Sequence, residues 1–157
     1  MYKIKSKFAY LPIFICGLLT ASPFLLLYLT INSPEAGVLI PILYLIFVVY
    51  FWLTEFRVRA HKIEITNNQI IRKNFFGLGK EKVFDIKNID GFITSFQPSR
   101  YESYEYIFII QREKRVASIS KFYHRNYEEV KLLITQNIKD LGLKEYKFGH
   151  EIKEMFK

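Results

Sequence analysis

The sequence predicts an α+β protein in two parts: a transmembrane helical hairpin over residues 1–54, and an antiparallel sheet capped by one C-terminal helix over residues 55–157. Three observations predict it. Residues 8–54 are apolar, with Glu35 as their one charged side chain. Between residues 61 and 121, short runs rich in β-branched and aromatic residues alternate with turn residues. After Asn126 the apolar period changes from two to that of a helix.

The hairpin divides into apolar runs 8–31 and 38–53, joined by residues 32–37. About 18 apolar residues suffice to cross a bilayer as a helix. Each run holds about a dozen Leu, Ile, Val or Phe residues, each favouring insertion by roughly 0.3–0.6 kcal/mol. A signal peptide is the competing reading, because lysines precede the first run and Thr20, Ala21 and Ser22 are small. Pro23 makes a poor cleavage context, and the run continues past it beyond the length of a signal h-region. Ser33, Pro34 and Glu35 form a helix-start pattern, which predicts a second helix over residues 34–54. At 1.5 Å per residue it would span roughly 31 Å, the thickness of the hydrocarbon core. Pro12 and Pro41 lie near helix starts, whereas Pro23 is interior and predicts a kink. Gly17 and Ala21 form a small-xxx-small pair suited to close helix packing.

Lys3, Lys5 and Lys7 flank one end of the hairpin, Arg57, Arg59 and Lys62 the other, and the connecting loop has no basic residue. Basic flanks remain cytoplasmic, so the chain is expected in the cell (inner) membrane with both termini in the cytoplasm. Arg57, Arg59 and Lys62 are the expected basic contacts with its anionic surface. Tyr10, Tyr50 and Trp52 are the expected anchors at that interface, and Tyr28 lies toward the outer one.

Beyond residue 54 the net charge is +6, a moderate excess that favours anionic partners. Residues 55–60 either prolong the helix or contain a bulge, since Val58 and Ala60 are out of phase with Ile63 and Ile65. Strands are expected at 61–66, 69–76, 80–85, 91–97, 104–111 and 115–121, separated by turns such as Asn67-Asn68 and Gly77-Leu78-Gly79. Asn126 and Glu129 resemble a capping box. Val130, Leu133, Ile134, Ile138 and Leu141 then make one apolar stripe, and Gly142 ends the helix. In the tail, Phe148, Ile152, Met155 and Phe156 share a helical face suited to the domain or the membrane surface. No internal repeat or low-complexity segment is present.

The first hairpin at 61–76, the segment Val83-Phe84-Asp85-Ile86-Lys87-Asn88-Ile89 and the helix from Asn126 to Leu141 follow the two spans in a familiar order. In this the chain resembles the bacterial pleckstrin-homology-like membrane proteins. The resemblance implies a strongly bent, half-open sheet barrel plugged at one end by the helix. Six strands are counted where that fold has seven. The basic arrangement of phosphoinositide-binding members is not reproduced by Lys62, Arg72 and Lys73, so the resemblance implies no lipid-headgroup specificity.

The chain shows little reactive machinery. Cys16 is its one cysteine, which excludes an intrachain disulfide and a multi-cysteine metal site. His61, His124 and His150 lack metal-binding spacing. Gly77-x-Gly79-Lys80 lacks the phosphate-loop spacing and reads as a turn. Asp85 and Asp90 fit turn roles, and no serine stands in a nucleophile elbow. Tyrosines around Arg100 have the look of a nucleic-acid surface, which membrane tethering disfavours. The expected function is a non-enzymatic, membrane-tethered binding or scaffold module, with the lipid bilayer and a protein as partners and no cofactor, metal or nucleic acid. The alternatives are a lipid-sensing or lipid-modifying enzyme using Tyr123, His124 or Arg125, and a small integral-membrane immunity or stress protein.

Overall fold

The computed structural model describes residues 3–32, 37–98 and 103–144. Strand β1 (Lys3–Lys5) precedes helix α1 (Tyr10–Ile31). Helix α2 (Leu39–Phe51) continues through a π-helical turn at Trp52–Phe56 into the single turn α3 (Arg57–Arg59). The spans Tyr10–Ile31 and Leu39–Arg59, 22 and 21 residues, are each long and apolar enough to cross a membrane. Their outward apolar side chains are bare: Phe24 and Ile40 are each 69% exposed. Lipid, not protein, is the environment in which such surfaces are stable.

The second span starts at Leu39, not at Pro34; Gly37 and Val38 are non-helical, and the cap pattern at residues 33–35 falls outside the described residues. It also extends past Thr54, because its last turns are amphipathic. Phe56 and Ala60 are buried against the domain.

The least exposed positions of α1 recur at Pro12, Cys16, Leu19, Pro23 and Leu26, and those of α2 at Pro41, Tyr44, Val48 and Phe51. These alternating steps of three and four make a seam between antiparallel helices. Gly17 and Ala21 lie off that seam. Both are exposed, and a Cβ added at Gly17 would meet nothing within 4 Å, so the small pair does not pack the hairpin. Helix α1 runs through Pro23 as one element. Proline leaves the Leu19 carbonyl without its helical donor. The Ser22 hydroxyl donates to that carbonyl at 3.0 Å and exchanges a 2.9 Å hydrogen bond with the Tyr44 hydroxyl across the seam. Nearer the domain, the Trp52 indole N–H donates to Thr20 Oγ1 at 3.0 Å.

All six expected strands form, as β2 (Lys62–Thr66), β3 (Gln69–Lys73), β4 (Glu81–Asp85), β5 (Gly91–Pro98), β6 (Ser103–Gln111) and β7 (Lys114–Ser120). They do not make one sheet. A four-stranded sheet has the order β1-β2-β3-β4, and a second has the order β7-β6-β5-β8, where β8 is Asp140–Leu143. Strand β3 stops at Lys73, short of the expected Phe76. Phe75 and Phe76 instead turn at φ 52° and 55°, a strained conformation for bulky residues. That turn carries both rings into an aromatic cluster with Phe8, Trp52, Phe56 and Tyr123. Helix α4 (Tyr127–Asn137) is shorter than the expected 126–141. Beyond it the backbone is worth more as an edge strand: β8 pairs parallel to β5, and the Phe92 N–H donates to Lys139 O at 2.9 Å.

The main core lies between the sheets. Ile63, Ile65 and Ile70 meet Phe92, Ile107, Ile109, Ala117 and Ile119, closed by Tyr127, Val130 and Ile134 of α4. A second cluster lies on the opposite face of β6, where Tyr106, Phe108 and Ile110 meet Cys16, Phe56, Ala60 and Tyr123. Burial on both faces explains why β6 is an unbroken apolar run.

The segment ahead of the hairpin is sewn into the domain. Strand β1 pairs with β2, Ser6 N–H donates to Ile63 O at 2.7 Å, and Ile63 N–H donates to Ser6 Oγ at 2.8 Å. Ala9 N–H donates to Tyr123 O, and Arg125 N–H to Lys7 O. Asn126 makes no side-chain cap on α4. Its carboxamide accepts from Lys7 N–H at 2.7 Å and donates to Lys5 O at 3.0 Å.

Ser22→Ala and Tyr44→Phe should each destabilise the helical hairpin by about 1 kcal/mol, the scale of an interhelical hydrogen bond in lipid. Their double variant should cost less than the sum for the shared bond, measured by denaturant titration of the full chain in mixed micelles.

Candidate functional site

Strand β3 alternates so that Arg72 follows Ile70 on the face turned toward the core. A cation there breaks the apolar pattern of that face. The register adds a second: Arg72 stands directly opposite Lys82 of β4. Like charges facing each other across antiparallel strands are destabilising. Elsewhere in the β3–β4 ladder opposite charges or polar groups meet, as at Lys73 against Glu81 and Gln69 against Asp85, whereas the β2–β3 ladder sets Lys62 against Lys73.

Arg72 and Lys82 line a cavity of about 310 Å³ together with Arg57, Val58, His61, Asn74, Phe108, Arg115, Ala117 and Ser118. Four cations therefore converge from α3, β3, β4 and β7. No carboxylate stands among the described lining residues. A register shift of the β6–β7 pair between Ile109 and Ile110 delivers Arg115. It sets Arg115, in place of Val116, on the Phe108 side, with its guanidinium carbon 3.8 Å from the Phe108 ring centroid. Bulges serve this purpose at ligand sites. Arg72 donates through Nη1 to Val116 O and lies over the Phe84 ring. Burial lowers its guanidinium pKa from the usual value. The Arg72 Nε–H and the Asn74 Oδ1 are buried without a hydrogen-bond partner.

His61 forms the cavity wall, and its ring is committed. Ser118 N–H donates to Nδ1 at 3.0 Å, so the proton sits on Nε2, which donates to Arg57 O at 3.0 Å. This satisfies a carbonyl left open at the helix end. Burial, with Arg72 nearby, pushes the His61 pKa down to about 3. His124 repeats the pattern: Ser120 N–H donates to Nδ1 at 3.3 Å, and Nε2 donates to His61 O at 2.8 Å. Burial lowers its pKa too. Both rings are therefore neutral pins between β7 and the backbone around residues 57–61.

The basic residues singled out from the sequence part company. Arg57 lines the cavity. Arg59 turns inward: its side chain is 11% exposed, ion-paired to Glu55 at 3.4 Å, bonded to Gln97 Oε1 at 2.8 Å and placed over the Tyr106 ring. Lys62 lines a separate groove with Lys3, Lys5, Glu64, Lys73 and Glu81. There two carboxylates stand among four lysines: Lys3 and Lys5 reach Glu64 at 2.6 and 3.2 Å, Lys73 reaches Glu81 at 3.0 Å, and the Lys3 hydrogen bond holds the Glu64 carboxyl below its ordinary pKa.

Of the aromatic anchors, Trp52 is half-buried at the hairpin root. Tyr10 and Tyr50 are exposed. Tyr10 accepts a 2.8 Å hydrogen bond from Arg125. Tyr123, buried, donates to Glu55 at 3.1 Å, and burial with the Glu55 charge raises its pKa. Tyr123, His124 and Arg125 thus each have partners within the fold. His150 and the tail face at residues 148–156 lie outside the described residues, as do residues 99–102 of the tyrosine-rich loop. Among the described residues, no three His, Cys, Asp or Glu side chains gather as a metal site requires.

Sequence reasoning named Arg72 without assigning it a face, and passed over Arg115. The Ile70/Arg72 alternation was the available signal for Arg72. The bulge that aims Arg115 leaves no such trace. The chain matches no family model, no curated protein and no solved structure.

Because His61 and His124 are neutral when folded and titrate near 6.5 when unfolded, the unfolded chain binds more protons in acid. Their contribution is complete above about pH 6.5 and is lost as pH falls below it, for His61 down to about 3 with a slope approaching about 1.4 kcal/mol per pH unit. In unfolding titrations from pH 8 to 4, His61→Gln should start less stable and show a shallower acid slope.

Proposed function

We propose that this chain is a two-span protein of the cell (inner) membrane with both termini in the cytoplasm, and that its domain is a non-enzymatic binding or scaffold module held against the inner leaflet. The observation that carries this reading is the docking of the domain onto the hairpin root. Strand β1 through Ala9 is bonded to β2, Tyr123 and Asn126, while Phe56 and Ala60 at the other root are buried under β6. Both ends of the hairpin are gripped by one domain, so the domain cannot swing away as it would on a flexible linker. Such a grip presents one fixed face to the membrane, which suits recognition.

The arrangement of strands supports a pleckstrin-homology-like half-barrel. Strand β1 supplies a seventh strand ahead of α4, four fall in one sheet and three consecutive ones in the other, and α4 packs against the core between them. The basic flanks Lys3, Lys5, Arg57 and Lys62 support the cytoplasmic orientation.

Cysteine labelling tests the orientation. In a Cys16→Ser background, an impermeant maleimide should label Asn32→Cys on intact cells and Lys87→Cys only after permeabilisation; the reverse pattern overturns it. Affinity capture of the full chain in detergent should enrich one consistent protein partner. Turnover of a substrate by the purified chain without any partner would sink the non-enzymatic reading.

A further inference from the structure

We infer that the cavity lined by Arg57, Arg72, Lys82 and Arg115 binds a phosphate-bearing anion. The inference deepens the function proposed above and rests on it only for the cytoplasmic setting of the site. Four cations meet in the lining, and no carboxylate stands among its described residues. Arg72 and Lys82 face each other across a ladder whose neighbouring pairs are complementary. The fold tolerates that repulsion, and an anion between the two would reverse it.

The donor set suits a tetrahedral oxyanion. Arginine offers its N–H groups in a planar fork that matches phosphate oxygens, and lysine adds a compact charge. Arg72 uses Nη1 on Val116 O and still holds a buried Nε–H without a partner, so one donor is desolvated in advance. The Asn74 carboxamide, its Oδ1 also without a partner, can turn to present its NH2 group. Phe108 and Ala117 give an apolar wall that strengthens the field. At about 310 Å³ the cavity admits a phosphate and a few attached atoms.

The cavity lies beside α3, the last turn of the second span. A phosphate on a lipid headgroup and a soluble phosphate both meet its chemistry, and the test separates them. The full chain in maltoside micelles, which contain no phosphate, is titrated with inorganic phosphate at constant ionic strength and, separately, with dioctanoyl phosphatidylglycerol. Dioctanoylglycerol is the phosphate-free control, and the melting midpoint is followed through Trp52. A saturable rise with inorganic phosphate indicates a soluble source, and one with the phospholipid alone indicates a headgroup. In either case Arg57→Gln with Lys82→Gln should weaken the apparent affinity about tenfold or more. Lys80→Gln with Lys87→Gln removes equal charge outside the cavity lining and should leave it within a factor of two. No saturable rise, an equal rise with dioctanoylglycerol, or equal weakening by both variant pairs overturns the inference. The labelling result fails or holds independently: a domain found outside with phosphate binding intact would refute the orientation alone.

Discussion

A strand that is apolar on both faces must be covered twice, and β6 imposes that condition on this molecule. Ile107 and Ile109 face the sheet-and-helix core and are fully buried; Tyr106, Phe108 and Ile110 face the hairpin root. At roughly 1.5–3 kcal/mol per large buried side chain, these five residues account for on the order of ten kcal/mol, as an upper estimate. Neither the domain without the root nor the root without the domain can cover both sides. The spans and the domain are therefore parts of one packed body. The same demand explains why the second span runs past its apolar stretch, since its last turns supply Phe56 and deliver Ala60 to the β6 face.

Backbone accounting completes the joint. Helix ends and strand edges leave polar groups that a buried junction must satisfy. Here many of the partners come from far away in the chain. His61 serves Arg57 O and Ser118 N–H, His124 serves His61 O and Ser120 N–H, Ser6 serves Ile63, and Asn126 serves Lys5 and Lys7. Residues that look reactive or capping in isolation act as connectors. A histidine in this role must stay neutral, and burial keeps it so.

The charges sort by the same logic. Arg59 is drawn into a half-buried pair with Glu55, the surface lysines Lys3, Lys5 and Lys73 find Glu64 and Glu81, and Lys131 finds Glu105 at 2.7 Å. The exposed lysine pairs contribute little to stability. Their value here is contrast: beside them, the cavity at α3 gathers cations from four elements with no carboxylate in its described lining. Places where a fold breaks its own patterning are where function is expected.

The sequence by itself determined the two spans, six of the strands and the existence of the C-terminal helix. Backbone groups in lipid must bond within their own segment, and strand and helix periods are local properties. What it left undecided was everything set by pairing across distance. Strand β1 is three residues long and gains its identity only from β2, some sixty residues away. Strand β8 exists because β5 has an open edge, and it shortened a helix whose apolar stripe ran on to Leu141. The candidate site is of the same kind. Arg57, Arg72, Lys82 and Arg115 are scattered along the chain, and the ladder register and one bulge decide that they meet while Arg59 and Lys62 do not. Register and bulge position are chosen by the packed core as a whole, and no stretch of residues carries that choice alone.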